Sequence, residues 1–102
     1  MTHYELFTKI RGWAEARNLV RGSNTQAQFT KLIEEAGELA TGIAKKREDL
    51  VMDGIGDMCV VLTILAAQHG FTIEQCLAMA WDEIKDRKGR MIDGVFVKEA
   101  DL

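Results

Sequence analysis

The sequence predicts a single all-helical domain of four helices packed as a bundle, and two observations support this prediction. Apolar residues recur every three or four positions along most of the chain, which is the period of an amphipathic helix. The 102 residues contain no proline, no internal repeat and no linker-like stretch, so residues 1–102 are expected to form one domain. Four helices with short connections are typical of a helical bundle.

The first two helices are defined by their apolar stripes and by a polar break between them. The first is expected over residues 4–19, with Trp13 on its apolar stripe. The second is expected over residues 25–46, because Thr25 followed by Gln28 is typical of a capping box.

The last two helices are defined mainly by signals at their ends. The third is expected over residues 48–69, with two acids at its start and Gly70 as its C-terminal stop. Thr72 and Gln75 predict a second capping box and a fourth helix. Residues 94–97 suggest a short extended segment. The apolar face of the fourth helix consists of Ile73, Cys76, Leu77, Ala80, Trp81 and Ile84.

The third helix has no polar stripe between Met58 and Ala67, so it must be buried on every side. A chain of 102 residues has too few other helices to surround it. We therefore expect a homo-oligomer, a dimer or a dimer of dimers, whose core is completed by association around this helix.

Composition excludes several classes of protein. The net charge of -3 gives no basic surface for duplex nucleic acid. The first residues lack the features of a secretory signal, and the apolar run of residues 58–67 is about half of what a membrane span needs. We expect a cytoplasmic protein without a membrane segment. Cys59 and Cys76 lie within apolar patterns and are expected to be buried thiols.

The second helix carries three glutamates, Glu34, Glu35 and Glu38, on the face opposite its apolar stripe. An ordinary solvated helix face has the same pattern, and this interpretation stays open. Glu34 and Glu38, however, repel each other at the i,i+4 spacing, and Lys31 is the cation placed to relieve the charge. The three glutamates are therefore also a candidate site.

A second acidic pair, Asp53 and Asp57, lies on the third helix, and its face continues into Val60 and Ile64. Two carboxylates about 5 Å apart repel by roughly 3 kcal/mol at an effective dielectric constant of 20. Mg²⁺ would relieve this repulsion, because it prefers carboxylate oxygens and keeps waters for a phosphate-bearing substrate, and Mn²⁺ is a suitable substitute. The alternative is that these acids simply stabilise the positive end of the helix dipole.

These segments resemble the MazG-type all-α nucleoside triphosphate pyrophosphohydrolases. The stretch of residues 31–39 contains Glu-Glu-x-x-Glu, and Ile55-Gly56-Asp57 follows on the next helix. Residues 82–89 are similar to the short single-domain MazG-like proteins of bacteria and phages. The sequence departs from the family pattern at Gly54, where the second motif, Glu-x-x-Asp, has its glutamate.

The resemblance implies a Mg²⁺-dependent hydrolase that cleaves a nucleoside triphosphate, with or without the 2′-hydroxyl, to its monophosphate and pyrophosphate. Metal-activated water is expected to attack the α-phosphorus. Glu34 and Glu35 are the implied catalytic residues, with Glu34 either a ligand or the group that orients the water. The implied metal ligands are Glu34, Glu35, Glu38, Asp53 and Asp57, with Asp53 in place of the missing glutamate.

Four residues are candidates for contacts with the substrate. Lys31, Lys85 and Arg87 can bind phosphate, although a solvated cation has the same sequence pattern. Trp13 can stack on a base or belong to the core, and Trp81 is expected in the core.

Two other functions remain open. A relative specialised for dUTP or for phosphoribosyl-ATP would carry the same acidic motifs. A non-catalytic helical oligomerisation module would carry the acids only as a solvated face, and millimolar Mg²⁺ would not change its stability. The sequence does not identify the preferred base.

Overall fold

A computed structural model describes all 102 residues as four helices followed by a small two-stranded sheet. The predicted all-α fold is confirmed, and each helix lies within a few residues of its expected position. The elements in chain order are α1 (His3–Ala16), α2 (Thr25–Ala44), α3 (Glu48–Gln68), α4 (Ile73–Ile84), β1 (Gly89–Ile92), β2 (Val95–Lys98) and a 3₁₀ turn (Glu99–Asp101).

The start of α2 differs from the prediction. Asn24, not Thr25, is the N-cap, and its side-chain oxygen accepts a hydrogen bond from the Ala27 backbone N–H at 2.7 Å. The side chain of Gln28 is therefore free of the capping box, and it donates to the hydroxyl of Ser23 at 3.0 Å. Asn24 takes the capping position because its amide oxygen can bond a first-turn N–H directly.

The other helix ends follow the sequence signals more closely. Thr72 and Gln75 form the predicted capping box of α4, with the Gln75 N–H donating to the Thr72 hydroxyl at 3.1 Å. Gly70 follows α3 with a φ of +78°, a left-handed conformation that glycine adopts without steric cost. A capping box formed by Thr2 and Glu5 also begins α1, and its N-cap lies before the predicted start of that helix.

Helices α2 and α3 form an antiparallel pair in close contact along their length, and α1 packs against α3. The buried apolar residues come from α1 and α3. Contacts of α4 with the other helices are few, and an ion pair of 3.7 Å between Arg11 and Glu74 joins it to α1. The buried apolar side chains are Ala14, Val61, Ile64 and Ala66.

Several apolar side chains that were expected in the core are exposed in the single chain. Trp81 is 60% exposed, and no residue of α4 is buried, because α4 makes few contacts with the other helices. Cys59 and Cys76 are exposed as well, so their prediction as buried thiols is wrong for the single chain. Cys76 lies on α4, none of whose residues is buried.

The C-terminal segment forms a β-hairpin where the sequence suggested only a short extended piece. Its strands pair antiparallel, with Gly89 opposite Lys98 and Ile92 opposite Val95. Asp93 and Gly94 make the turn with φ values of +50° and +81°, as a type I′ turn requires. The hairpin is thus a local structure that the Asp-Gly pair specifies.

Helix α3 is long and apolar enough by length and composition to cross a membrane. Helix α3 packs against both α1 and α2, but only 28% of its apolar stretch is buried in the single chain. The predicted burial of α3 on every side is therefore not met within one chain, and Leu62 is 37% exposed.

Candidate metal centre

Helix α2 carries its buried positions at intervals of seven residues. Gln28, Glu35 and Gly42 are the buried residues of this helix, and seven residues correspond to nearly two helical turns. All three therefore lie on the side that faces α3. Glu35 is only 6% exposed. This burial excludes the alternative that Glu35 belongs to an ordinary solvated helix face.

Three carboxylates from α2 and α3 converge at this interface. Glu38 lies one turn after Glu35 on α2, and Asp57 comes from the facing turn of α3. One carboxylate oxygen from each of the three lies within 4.8 Å of the others. We call Glu35, Glu38 and Asp57 the acidic cluster. It combines one buried, one partly buried and one exposed side chain.

Lys31 is the cation next to the acidic cluster. Its Nζ lies 3.2 Å from Oε1 of Glu35 and 3.9 Å from a carboxylate oxygen of Glu34. The hydrogen bond to Glu35 is the main cause of a raised pKa for Lys31, so this side chain stays protonated. One positive charge thus faces three carboxylates.

The crowding of negative charge changes the acidity of two members of the cluster. The charge of Glu35 raises the pKa of Glu38. Burial is the main cause of the raised pKa of Asp57, and the charges of Asp53 and Glu35 raise it further. The raised pKa of Glu38 thus reflects neighbouring negative charge, whereas that of Asp57 reflects burial first and neighbouring charge second.

The cluster fits a hard divalent cation by its donor set and by an unsatisfied atom. Oε2 of Glu35 is buried and has no hydrogen-bond partner, although Oε1 of the same side chain is paired with Lys31. An unpartnered buried carboxylate oxygen is costly unless a cation satisfies it. Three carboxylates from two helices offer the oxygen ligands that Mg²⁺ and Mn²⁺ prefer.

Asp57 lines three cavities, and two of them also include a glutamate of the acidic cluster. The larger of these two has a volume of about 470 Å³, with apolar walls and with Gln28, Lys31, Glu35 and Asp57 as its polar groups. The smaller, of about 240 Å³, is lined mainly by polar residues. We call them the apolar cavity and the acidic cavity. The apolar cavity is walled by Trp13, Leu19, Ala27, Val60, Val61 and Ile64. The acidic cavity is lined by Glu38, Thr41, Leu50, Asp53, Gly54 and Asp57.

The comparison with known proteins bears directly on this site. The MazG nucleotide pyrophosphohydrolase domain matches residues 23–91 of the 102-residue chain, a range that includes α2, α3 and the whole acidic cluster. The chain belongs to the MazG nucleotide pyrophosphohydrolase family.

A relative of this MazG chain is found in Haemophilus phage HP1 (strain HP1c1), where it is described as an uncharacterized 18.2 kDa protein in the rep-hol intergenic region. The two are 52% identical over 65 residues, which cover 64% of this chain and 40% of the phage protein. The chain thus spans less than half of that relative's length. No solved structure matches the chain.

Of the predicted metal ligands, the MazG chain brings Glu35, Glu38 and Asp57 together and leaves two outside the cluster. Asp53 lines the acidic cavity with Glu38 and Asp57, but it is not among the three whose oxygens converge. Glu34 lines neither cavity, and its side chain is 61% exposed.

Of the four predicted substrate contacts, two line the apolar cavity and two lie outside both cavities. Lys31 and Trp13 both line the apolar cavity. Trp13 is 44% exposed, and the Arg17 guanidinium lies 4.6 Å from the centroid of its ring. Neither Lys85 nor Arg87 lines either cavity, and Lys85 pairs with Asp82 at 3.3 Å.

The sequence interpretation missed Gln28 as a site residue. It is 8% exposed and lines the apolar cavity one heptad before Glu35. The interval of seven residues between Gln28 and Glu35 is the signal that places both on one side of α2. The wrong capping-box assignment concealed it, because that assignment used the Gln28 side chain at the helix end.

Proposed function

We propose that this MazG-family chain is a Mg²⁺-dependent pyrophosphohydrolase that cleaves a nucleoside triphosphate or its deoxy form to the monophosphate and pyrophosphate. The observation that carries the proposal is the convergence of Glu35, Glu38 and Asp57, with a buried and unpartnered Glu35 oxygen among them. Phosphate transfer needs positive charge near the triphosphate, and a metal-binding acidic cluster supplies a place for it.

The acidic cluster would hold the divalent cation, and Asp53 at the rim of the acidic cavity would bind one of its waters or the cation itself. The bound cation would neutralise charge on the phosphates and lower the pKa of a bound water. Lys31 lies where the apolar cavity meets the cluster, so it would bind phosphate oxygens there.

Glu34 is the proposed general base of the chemical step. Its carboxylate is exposed, lies 3.9 Å from Nζ of Lys31 and outside both cavities, and would turn towards the cluster to orient the attacking water and take its proton. The water oxygen bonds to the α-phosphorus, and the bond from this phosphorus to the bridging oxygen breaks. Pyrophosphate leaves, and the nucleoside monophosphate remains.

The apolar cavity is the proposed site of the nucleoside. Its volume of about 470 Å³ and its apolar walls suit a base and sugar, and it opens directly beside Glu35 and Asp57. Trp13 offers a partly exposed ring on which a base can stack.

The test is pyrophosphate release from a panel of ordinary and modified nucleoside triphosphates with Mg²⁺, compared between the unsubstituted protein and Glu38→Gln or Asp57→Asn. Each variant removes one of the three charged ligands, which predicts a fall in turnover of at least about 100-fold. Glu83→Gln is the matched control, because Glu83 is an exposed glutamate of α4 outside both cavities. Full turnover in both cluster variants, with unchanged circular dichroism, would remove the proposal.

We also propose that the protein works as a homo-oligomer in the cytoplasm. The single chain has an accessible surface of 7735 Å². A compact monomer of its mass exposes about 5,800 Å², so roughly 1,900 Å² is exposed in excess. A stable interface needs about 800 Å² per partner, and the excess is sufficient for it.

The interface is proposed at the exposed apolar side chains of α2 and α3. Ile33 and Ile43 of α2 are 56% and 60% exposed, and Ile55 of α3 is 53% exposed. In light scattering, we expect more than one chain per particle, and a lower mass for Ile33→Glu. Tyr4→Glu, at an exposed apolar site on α1, should keep the mass. A one-chain mass for the unsubstituted protein at micromolar concentration would exclude the oligomer.

A further inference from the structure

At Gly54, helices α2 and α3 approach so closely that a side chain at this position would crowd Leu39. Gly54 is buried, and a Cβ added to it would lie 3.1 Å from Cβ and 3.2 Å from Cα of Leu39. Cβ atoms rarely make contacts this short, so any larger residue at position 54 would push the two helices apart by a few tenths of an ångström. Gly56, two residues later, has no atom within 4 Å of such a Cβ.

The close approach lies at the level of the acidic cluster. Gly54 is three residues before Asp57, and Leu39 directly follows Glu38. The separation of the helices at this contact therefore sets the distance between the carboxylate of Asp57 and those of α2. With glycine at position 54, one oxygen of each cluster residue lies within 4.8 Å of the others.

The charge of the converging groups corresponds to one divalent cation. The three carboxylates of the cluster and the ammonium of Lys31 sum to a charge of about -2, which a single Mg²⁺ or Mn²⁺ cancels, while Asp53 and Glu34 lie next to this set but outside it. A second cation would need further oxygens, and Gly54 offers none at the position that faces α2. Asp53 is outside the set of converging oxygens.

We propose that each chain binds one divalent cation in the absence of nucleotide, and that Gly54 is the positioning residue that sets the α2–α3 separation for it. The inference rests on the proposed function and makes it more specific, because it assigns the number of resident cations. Any further cation at the site would arrive with the triphosphate as part of the substrate.

The experiment counts cations on the full-length, metal-free protein. Mn²⁺ alone is titrated and the free ion is measured by electron paramagnetic resonance, with a parallel calorimetric titration with Mg²⁺. We expect one tight Mn²⁺ per chain and a spectrum without spin coupling between two ions. Two tight ions per chain, or a coupled spectrum, would overturn the proposal.

Substitutions test the role of Gly54 at the same cation site. Gly54→Ala should weaken Mn²⁺ binding by roughly tenfold or more, a range seen when groups that orient metal ligands are changed. Gly56→Ala is the matched control and should change Mn²⁺ binding by less than about twofold, since its new methyl group meets open space. Equal Mn²⁺ binding by the two variants would refute the positioning role.

Two further variants separate positioning from general loss of stability. Ala66→Leu overfills a buried site nine residues beyond Asp57, so it should lower the melting temperature and leave the Mn²⁺ affinity unchanged. If Gly54→Ala does not fold, Leu39→Ile perturbs the same contact from α2 more gently, and it should also weaken Mn²⁺ binding. Unchanged Mn²⁺ affinity in Leu39→Ile would then refute the role of the contact.

Pyrophosphate release by the unsubstituted protein distinguishes this inference from the proposed function. Two cations with Mg²⁺-dependent turnover would refute the single-cation proposal and leave the hydrolase standing. One cation without turnover of any nucleotide would refute the hydrolase and leave the cation site standing. No Mn²⁺ binding in the millimolar range would refute the resident cation, whatever the turnover.

Discussion

Asp57→Asn is expected to change the stability of the protein in opposite directions with and without Mg²⁺. Asp57 and Glu35 have carboxylate oxygens within 4.8 Å of each other. At this separation, two like charges repel by about 3 kcal/mol at an effective dielectric constant of 20 and by about 1 kcal/mol in water. Because Asp57 lies at a cavity wall and is partly exposed, the lower part of this range applies. The metal-free variant should therefore be about 1 kcal/mol more stable than the unsubstituted protein.

Mg²⁺ should reverse this order. A ligand at 100 times its dissociation constant stabilises the folded state by about 2.7 kcal/mol, and only the unsubstituted protein has the complete acidic cluster. For a domain of this size, 1 kcal/mol corresponds to a melting shift of roughly 4–8 °C. The unsubstituted protein should gain about 10 °C or more with Mg²⁺, whereas Asp57→Asn should gain little.

The assay is thermal unfolding followed by circular dichroism, with EDTA or with excess MgCl₂, at one protein concentration because association also affects the melting temperature. Asp86→Asn is the matched control, since Asp86 is an exposed aspartate outside both cavities. It should respond to Mg²⁺ as the unsubstituted protein does. The reasoning would fail if Asp57→Asn were less stable than the unsubstituted protein in EDTA, or if both gained equally from Mg²⁺.

Three further predictions concern the same helices. Glu38 and Asp57 have raised pKa values in the folded protein, so the folded state binds their protons more tightly than the unfolded state does. The metal-free protein should therefore lose stability as the pH rises from about 4 towards neutrality, and urea unfolding at several pH values in EDTA checks this; a rise over the same interval would contradict it. Gly42→Ala should destabilise by roughly 1–3 kcal/mol because its Cβ would lie 3.0 Å from Leu50 Cβ, whereas Gly37→Ala, with open space around it, should stabilise by up to about 1 kcal/mol in the same urea assay. Thr72→Ala should cost about 1 kcal/mol in that assay, because the capping box of α4 is lost, and an unchanged midpoint would contradict this.

The sequence predicts the helices of this fold well, because their signals are local. The apolar period and the Thr72–Gln75 capping box depend on residues within one or two turns, and both appear as expected. The N-cap of α2 was predicted at Thr25 but lies at Asn24, because the two adjacent residues can both cap a helix. It also missed the hairpin, although Asp93-Gly94 is a strong turn signal, because the strands beside it are only four residues long.

The candidate site was harder to predict, since its properties depend on packing between helices. The motif on α2 and the aspartate on α3 indicate which carboxylates meet, but not which of them is buried. The position of Glu35 opposite the apolar stripe left a solvated face open as an alternative, whereas the spacing of Gln28, Glu35 and Gly42 places all three on the side of α2 that faces α3. Gly42 and Gly54 lack side chains, so α2 and α3 can approach closely at these positions. A pattern of apolar residues does not reveal this close approach.

Asp57 lines both cavities, and this shared wall has a consequence for how the protein can evolve. If cation and nucleoside occupy neighbouring spaces that meet at one carboxylate, each affects the affinity for the other by the same factor. A substitution that reshapes the apolar cavity to favour another base would then also alter the demand for magnesium. Selectivity and metal requirement would change together, so variants with new base preferences should be screened across a range of magnesium concentrations.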